Sequence, residues 1–355
     1  MSSKVLNKFP KKTGNKFDVG SYYHDVRLEV GAPSEHTGLF GVEVELEGTG
    51  LPGGLLGTAV IDGATWVPHV DNSLRNGVEY VFSKPVDKTH AVAMVRDLFE
   101  YLRAAGAEVR NSYRCSTHVH VNMRGVKVNE MAAFVGLWGM FENVLANWCG
   151  PTRSGNLFAL RLSDTEVAVD NWVRGFKNGD FNFSNNQRYL ALNPACLRRF
   201  GSLEVRTMRG ISSAAELEPW LDALDRLRTY SKQYRDPSDI VMDFSAFGPL
   251  GMFERILGDL PIFAEALEAT VQAGDDAEEL IRGGFRRIQP ILYSLPWSEV
   301  LTEIEKVYIP DPFGVVPKVK PRRGGENHLA DFAEAIAPAP ARAFRLDAAL
   351  DEEDE

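Results

Sequence analysis

Three stretches of the sequence carry pairs of chemically active side chains at a spacing of two. Glu43 and Glu45 form one pair, His118 and His120 another, and Glu204 and Arg206 the third. Glu79 stands in a fourth stretch of similar character, Val78–Ser83 (VEYVFS). Successive side chains of a β-strand point to opposite faces, so residues i and i+2 share one. Parity sets Glu43, Glu45 and Glu47 opposite Val42, Val44 and Leu46, and Glu79 and Ser83 opposite Val78, Tyr80 and Phe82. It likewise sets His118, His120 and Asn122 opposite Thr117, Val119 and Val121, and Glu204 and Arg206 opposite Leu203 and Val205. A face chosen only for solubility would mix in Lys, Thr and Ser. Carboxylates converging to about 4 Å repel by about 4 kcal/mol per pair at an effective dielectric of about 20, so such a cluster is stable when cations bind it. Carboxylate-rich sites with at most one imidazole suit Mg²⁺ or Mn²⁺ better than zinc.

These residues must be positioned by a sheet. Phe40–Glu47, Val78–Ser83, Thr117–Met123, Arg188–Asn193 and Ser202–Met208 alternate apolar and polar, the period of half-buried strands. Ala91, Val92, Val95, Leu98, Phe99 and Leu102 repeat at three and four, which predicts a helix closed by Gly106. Asn129 is the expected cap of a strongly apolar helix running to about Trp148. Ser213 with Glu216 reads as a capping box for a helix through Trp220, Leu224 and Leu227. Residues 249–308 read as mainly helical, broken by Pro261, Pro290 and Pro296. Long connections and one-sided alternation favour an α+β fold, an antiparallel sheet packed on helices. Residues 1–20 read as a flexible leader, 21–235 as the catalytic domain, 236–310 as a helical extension and 311–355 as a flexible, acidic-ended tail.

Composition narrows the classes. The chain has 355 residues, enough to bury a core without staples, and is 44% hydrophobic. Thirty-nine basic against 49 acidic residues give a charge of −10, half of it in Asp351–Glu355. This balance gives no support to a nucleic-acid binder, which normally shows a basic face. No apolar run approaches the roughly 20 residues of a membrane helix, and the Lys-rich N-terminus lacks the apolar region of a secretory signal. Cys115, Cys149 and Cys196 form neither a disulfide framework nor a CxxC knuckle, consistent with a cytoplasmic, reducing compartment.

Several motifs are weaker. Arg153 and Arg161 flank a Gly/Asn-rich stretch and are candidates to bind an acidic substrate. Gly175–Gln187 (GFKNGDFNFSNNQ) reads equally as a mobile lid or a plain connector. Cys115 reads as packing. Gly48–Gly57 lacks the Lys-Ser/Thr of a P-loop and reads as a flexible hairpin.

The segments GVEVELE, WVPHVDNSLRNGVEYVFSKP, CSTHVHVN, RYLALNP and GSLEVRTMRG occur in this order. Together they resemble the amidoligases of the glutamine-synthetase-like (carboxylate–amine ligase) superfamily, over about residues 40–235. The resemblance implies a glutamine-synthetase-like fold and ATP-dependent amide-bond formation through an acyl phosphate. By that similarity Glu43, His118 and Glu204 would share one metal ion, and Glu45 and Glu79 another. A further carboxylate is often present in the superfamily, and no counterpart is assigned here. Arg206, Arg209 and Arg188 are the phosphate candidates, with Arg206 favoured because parity places it beside Glu204. Asp71 and Ser73, in DNSLRNG, fall near the substrate. Asp71 could hold the incoming amine or simply make an Asx turn. His118 is implied as the metal ligand, while His120 and Asn193 fall to the substrate side. The expected partners are ATP with Mg²⁺ or Mn²⁺, a small-molecule or peptide carboxylate and an amine. A homo-oligomer is compatible, because superfamily members sometimes complete sites across subunits. Two rivals are a metal-dependent hydrolase of the His-x-His type and a non-catalytic binding protein keeping the fold.

Overall fold

In a computed structural model, residues 38–297 are described, apart from 55, 125, 179, 180, 182 and 184. The expected leader and tail therefore lie outside the described residues. The body is α+β, built on an open seven-stranded antiparallel sheet. Its strands are β1 (Phe40–Thr49), β2 (Trp66–His69), β3 (Gly77–Phe82), β4 (Glu108–Val109), β5 (Ser116–Asn122), β6 (Leu192–Asn193) and β7 (Ser202–Arg209). They are ordered β2-β3-β1-β5-β7-β6, with β4 pairing the end of β1. The parity argument holds on the apolar side. Val42, Val44, Leu46, Val78, Tyr80, Phe82, Val119, Val121, Leu203 and Val205 are all buried and join one cluster with the helices.

The helix α1 (Lys88–Ala104) is capped by Asp87, whose side chain accepts from His90 N, and it packs on β1 and α5 (Ala214–Ser231). The helix α2 (Val128–Trp148) is buried on nearly all sides, against α5, α7 (Pro261–Gln272) and α8 (Ala277–Leu292). That explains an apolar stretch with no polar face. The α2–α8 crossing is close enough to demand glycine. A Cβ on Gly284 would sit 2.4 Å from Met140 O, and one on Gly139 would sit 2.6 Å from Ile288 Cγ2. Remaining helices are α3 (Glu166–Asn178), the short α4 (Cys196–Phe200) and α6 (Asp239–Leu257), kinked at Gly248 ahead of Pro249. No helix among the described residues is long and apolar enough to cross a membrane.

Several local expectations change. Asn129 is not the cap of α2; Lys127 is, and the Asn129 amide instead donates to Arg235 O at 2.9 Å, tying α2 to the loop that follows α5. Glu216 accepts from Ser212 N at 2.9 Å and from the Ser213 hydroxyl at 3.5 Å, rather than from the backbone N–H of the cap Ser213. The expected strand Arg188–Asn193 shrinks to Leu192–Asn193. Its first half is a 3₁₀ turn, and Tyr189 O and Ala191 N bond to Leu160 instead of to a sheet neighbour. The Gly48–Gly57 segment is not a hairpin, because β1 pairs with β3 and the chain first detours to β2 at the sheet edge. The tight turn in that detour falls at Asp62–Gly63, both with positive φ. Pro261 starts α7, where a missing N–H costs nothing, and Pro290 lies in the last turn of α8.

Candidate active site

The strand register carries the polar residues into rows. Glu43 on β1 pairs with His118 on β5, Glu45 with Glu79 on β3, His120 with Glu204 on β7, and Glu204 with Asn193 on β6. Between Thr117 and Val119 the β5–β7 register shifts, with Thr117 opposite Met208 and Val119 opposite Val205. The extra β7 residue lets Val205 and Met208, three apart, both face the core. It leaves Arg206 beside His118, with Nη1 3.5 Å from Nδ1.

Distances show how tightly the groups converge. Glu43 holds both imidazoles, His118 Nδ1 at 3.1 Å from Oε2 and His120 Nε2 at 2.9 Å from Oε1. His118 Nδ1 is also 3.3 Å from Glu204 Oε1, and its Nε2 is 2.8 Å from Ser116 Oγ and 3.7 Å from Glu45 Oε1. Glu45 accepts from the backbone N–H and the hydroxyl of Ser116. Glu43, Glu79 and His118 offer ligand atoms all within 4.8 Å of one another, and so do Glu45, Asp71 and Glu79. Glu79 belongs to both groups.

Charge regulation reflects this crowding. Burial, then the carboxylates of Glu43, Glu45 and Asp71, push Glu79 up to about 9. Burial opposes ionisation of Glu43, yet His120 and His118 beside it hold its carboxyl well below the usual range. Glu204 is likewise held low against burial by Arg206, His120 and His118. Glu43 in turn keeps His120 protonated well above its ordinary range, despite burial. A divalent cation would relieve the repulsion concentrated on Glu79. The oxygen-rich donor sets, with one imidazole in the Glu43–Glu79–His118 group, fit a hard ion.

The structure therefore brings together Glu43, Glu45, Glu79, His118, Glu204, Arg206, His120 and Asn193. Asp71 joins them while also making the Asx turn, accepting from Ser73 N at 2.7 Å. Asn76 then takes a positive φ, and a Cβ on Gly77 would lie 2.7 Å from Leu46 O, so this turn presses directly on β1. Ser73 O accepts from Arg114, and Glu47, though of the right parity, is spent on Arg75 N.

Other arginines are engaged elsewhere. Arg153 is only 2% exposed, and its guanidinium donates to Thr207 O and Arg206 O, so it braces the β7 backbone under Arg206 instead of facing a substrate. Arg161 pairs with Asp164. Arg188 is exposed over the Tyr189 ring. Arg209 lies over Trp148, with Glu216 at 3.6 Å. In the Gly175–Gln187 connector, Phe181 packs on Phe176 and Phe183 on Trp172, which pins its described part to α3.

Three site residues escaped sequence reasoning. Ser116 and Ser202 extend the i, i+2 rows one step before His118 and Glu204, a signal that parity alone contained. Ser202 Oγ lies 2.9 Å from His120 Nδ1. Cys196 sits on α4 with its thiol against Glu204 at 3.2 Å, and burial pushes that thiol up to about 11. No spacing rule reaches it.

No curated protein matches the chain. A family model described as "Putative amidoligase enzyme" matches residues 77–220, a span that holds Glu79, the His118–His120 pair and the Glu204–Arg206 pair. With the polar rows of the sheet in place around that span, the match supports the assignment of this chain to the amidoligase family.

Proposed function

We propose that the chain is an ATP-dependent carbon–nitrogen ligase with a glutamine-synthetase-like fold, joining a small-molecule or peptide carboxylate to an amine through an acyl phosphate. The observation that carries this reading is the pair of donor groups sharing Glu79, Glu43–Glu79–His118 and Glu45–Asp71–Glu79, with Arg206 beside them. Glu43, Glu79, His118 and Glu204 would hold one Mg²⁺ or Mn²⁺, and Glu45, Asp71 and Glu79 another. Asp71 thereby fills the place of the unassigned third carboxylate. Bound there, such ions supply neutralisation of the charge on transferring phosphate oxygens.

The protein's own groups do the rest. Arg206, fixed by Glu204 and by Phe158 O at 3.0 Å, presents a positive charge where the phosphoryl group would pass. An oxygen of the substrate carboxylate takes the γ-phosphoryl group and ADP leaves. The amine nitrogen then attacks the acyl carbon, the C–O bond to phosphate breaks, and the nitrogen gives up a proton. The departing phosphate accepts that proton, since the carboxylates of Glu45, Asp71 and Glu79 are committed to the ion. His118 acts on the metal side and His120, turned toward Ser202, on the substrate side.

ATP with Mg²⁺ should raise the melting temperature of the protein, because a ligand bound only by the native state adds stability. Glu43→Gln and Glu45→Gln should fold and lose most of that rise. A screen of amino acids and short peptides with ATP and hydroxylamine should yield a hydroxamate, ADP and phosphate. Release of AMP and pyrophosphate would overturn the acyl phosphate step, and an undiminished thermal shift in both variants would remove the metal from this face.

A further inference from the structure

Glu204 faces two ways. Its Oε1 meets Arg206 and His118, while its Oε2 accepts from Asn193 Nδ2 at 2.5 Å and from the Cys196 thiol at 3.2 Å. The ligase chemistry leaves Cys196 without a task. Yet Cys196, His120 and Glu204, from three separate elements, offer ligand atoms all within 4.8 Å of one another. This donor set differs in kind from the two beside it, with one sulfur, one nitrogen and one oxygen. Thiolate selects zinc-class ions, whereas Mg²⁺ gains little from sulfur. Three protein ligands with room for water is a common zinc arrangement.

The surroundings are built to support such a set. Asn193 Nδ2 lies 3.5 Å from Cys196 Sγ as well as on Glu204, and Ser202 Oγ orients the His120 ring. Ligating groups held by neighbours in this way lose less freedom on binding. A cleft of about 190 Å³, lined by Gly41, Glu43, Phe82, Lys84, His120 and Ser202, opens beside His120 and gives a hydrated ion a route in.

We propose that His120, Cys196 and Glu204 form a site for a thiophilic divalent cation of the zinc class, coupled to the neighbouring hard-ion site through their shared residues. The metal–sulfur bond forms as the thiol releases its proton to solvent, and the metal–nitrogen bond forms as the His120 ring, held protonated beside Glu43, gives up one proton as well. Glu204 and His120 are also the partners of His118 and Glu43, so a soft ion drawing on them loosens the Glu43–His118 group. Zinc-class ions therefore antagonise Mg²⁺ or Mn²⁺ binding; this consequence, unlike the binding itself, rests on the metal assignment of the ligase reading.

The test uses the full chain without nucleotide. Zn²⁺ affinity is measured by competition with a chromogenic chelator, and Co²⁺ serves as a spectroscopic probe for a thiolate-to-metal charge-transfer band. The wild type should bind Zn²⁺ and show the band. Cys196→Ser, which keeps the size of the side chain, should lose the band and at least about tenfold in Zn²⁺ affinity, with Cys196→Ala giving the same result. Glu45→Gln should retain the band. A band that survives Cys196→Ser, or Zn²⁺ affinity unchanged in both Cys196 variants, overturns the site. Mn²⁺ affinity, read by paramagnetic resonance, should fall several-fold in Zn²⁺-saturated protein, and an unchanged value overturns the coupling. None of these measurements needs turnover, so absence of ligase activity and absence of the thiolate site are read separately.

Discussion

Glu142 offers a quantitative test of how burial is balanced in this fold. It lies in the middle of α2, is 1% exposed, and accepts from Trp138 Nε1 at 3.2 Å and Leu162 N at 2.7 Å. Burial raises its carboxyl to about 7, against an ordinary 4.5, and those two hydrogen bonds offset only part of the effect. In the window between 4.5 and 7 the unfolded chain has released this proton and the native state has not. Stability therefore falls as pH rises through that window and levels off above it. A shift of this size corresponds to about 3 kcal/mol overall, of which about 2.5 kcal/mol falls between about pH 5 and about pH 8. Glu142→Gln mimics the protonated form and cannot titrate. Urea denaturation of both proteins across this range should show near-equal midpoints at the acid end. At the alkaline end the variant should lead by about 1 M urea. Other titrating groups, Glu79 and His120 included, are common to both proteins and cancel in the difference. Parallel pH profiles for the two would refute the claim that this buried carboxyl stays protonated to near neutrality.

Asp71→Asn should lower Mn²⁺ affinity at least about tenfold in calorimetric titration, since one unit charge within 4.8 Å of Glu45 and Glu79 is removed; at an effective dielectric of about 20 a charge at that range carries about 3 kcal/mol. Arg153→Met should cost about 2–4 kcal/mol in denaturant unfolding, because Thr207 O and Arg206 O lose their donor in a buried setting; an unchanged midpoint would deny it the bracing role. Gly284→Ala should cost about 1–3 kcal/mol by forcing α8 away from Met140 O, while Gly283→Ala, with open space at its Cβ, should be neutral or better by the same measurement.

Much of the sheet was legible because a strand has a strict period of two. Val42, Val44 and Leu46, or Val119 and Val121, announce a buried face, and the same count places Glu43, Glu45, His118 and His120 on the other side. Helix boundaries were less legible. Ser213 does stand at the N-cap of α5, whereas Asn129, an equally good cap by residue type, does not, because a side chain bonds whatever the tertiary fold brings near, and for Asn129 that is Arg235 O. The Arg188–Asn193 alternation failed because Leu160, some thirty residues earlier, takes the backbone bonds that a strand needs.

Sequence alone thus determined which side chains share a face, since parity is a property of one strand. Which strands lie side by side, and in what register, follows from packing across the whole molecule. Asp71 meets Glu45 and Glu79 because the turn before β3 is pressed onto β1. Arg206 meets His118 because of a bulge. Arg153, a substrate candidate by its neighbours in sequence, is buried against the β7 backbone. Cys196 reaches Glu204 from a different element altogether. Contacts between elements depend on pairing and packing summed over the whole core, and no local spacing encodes them.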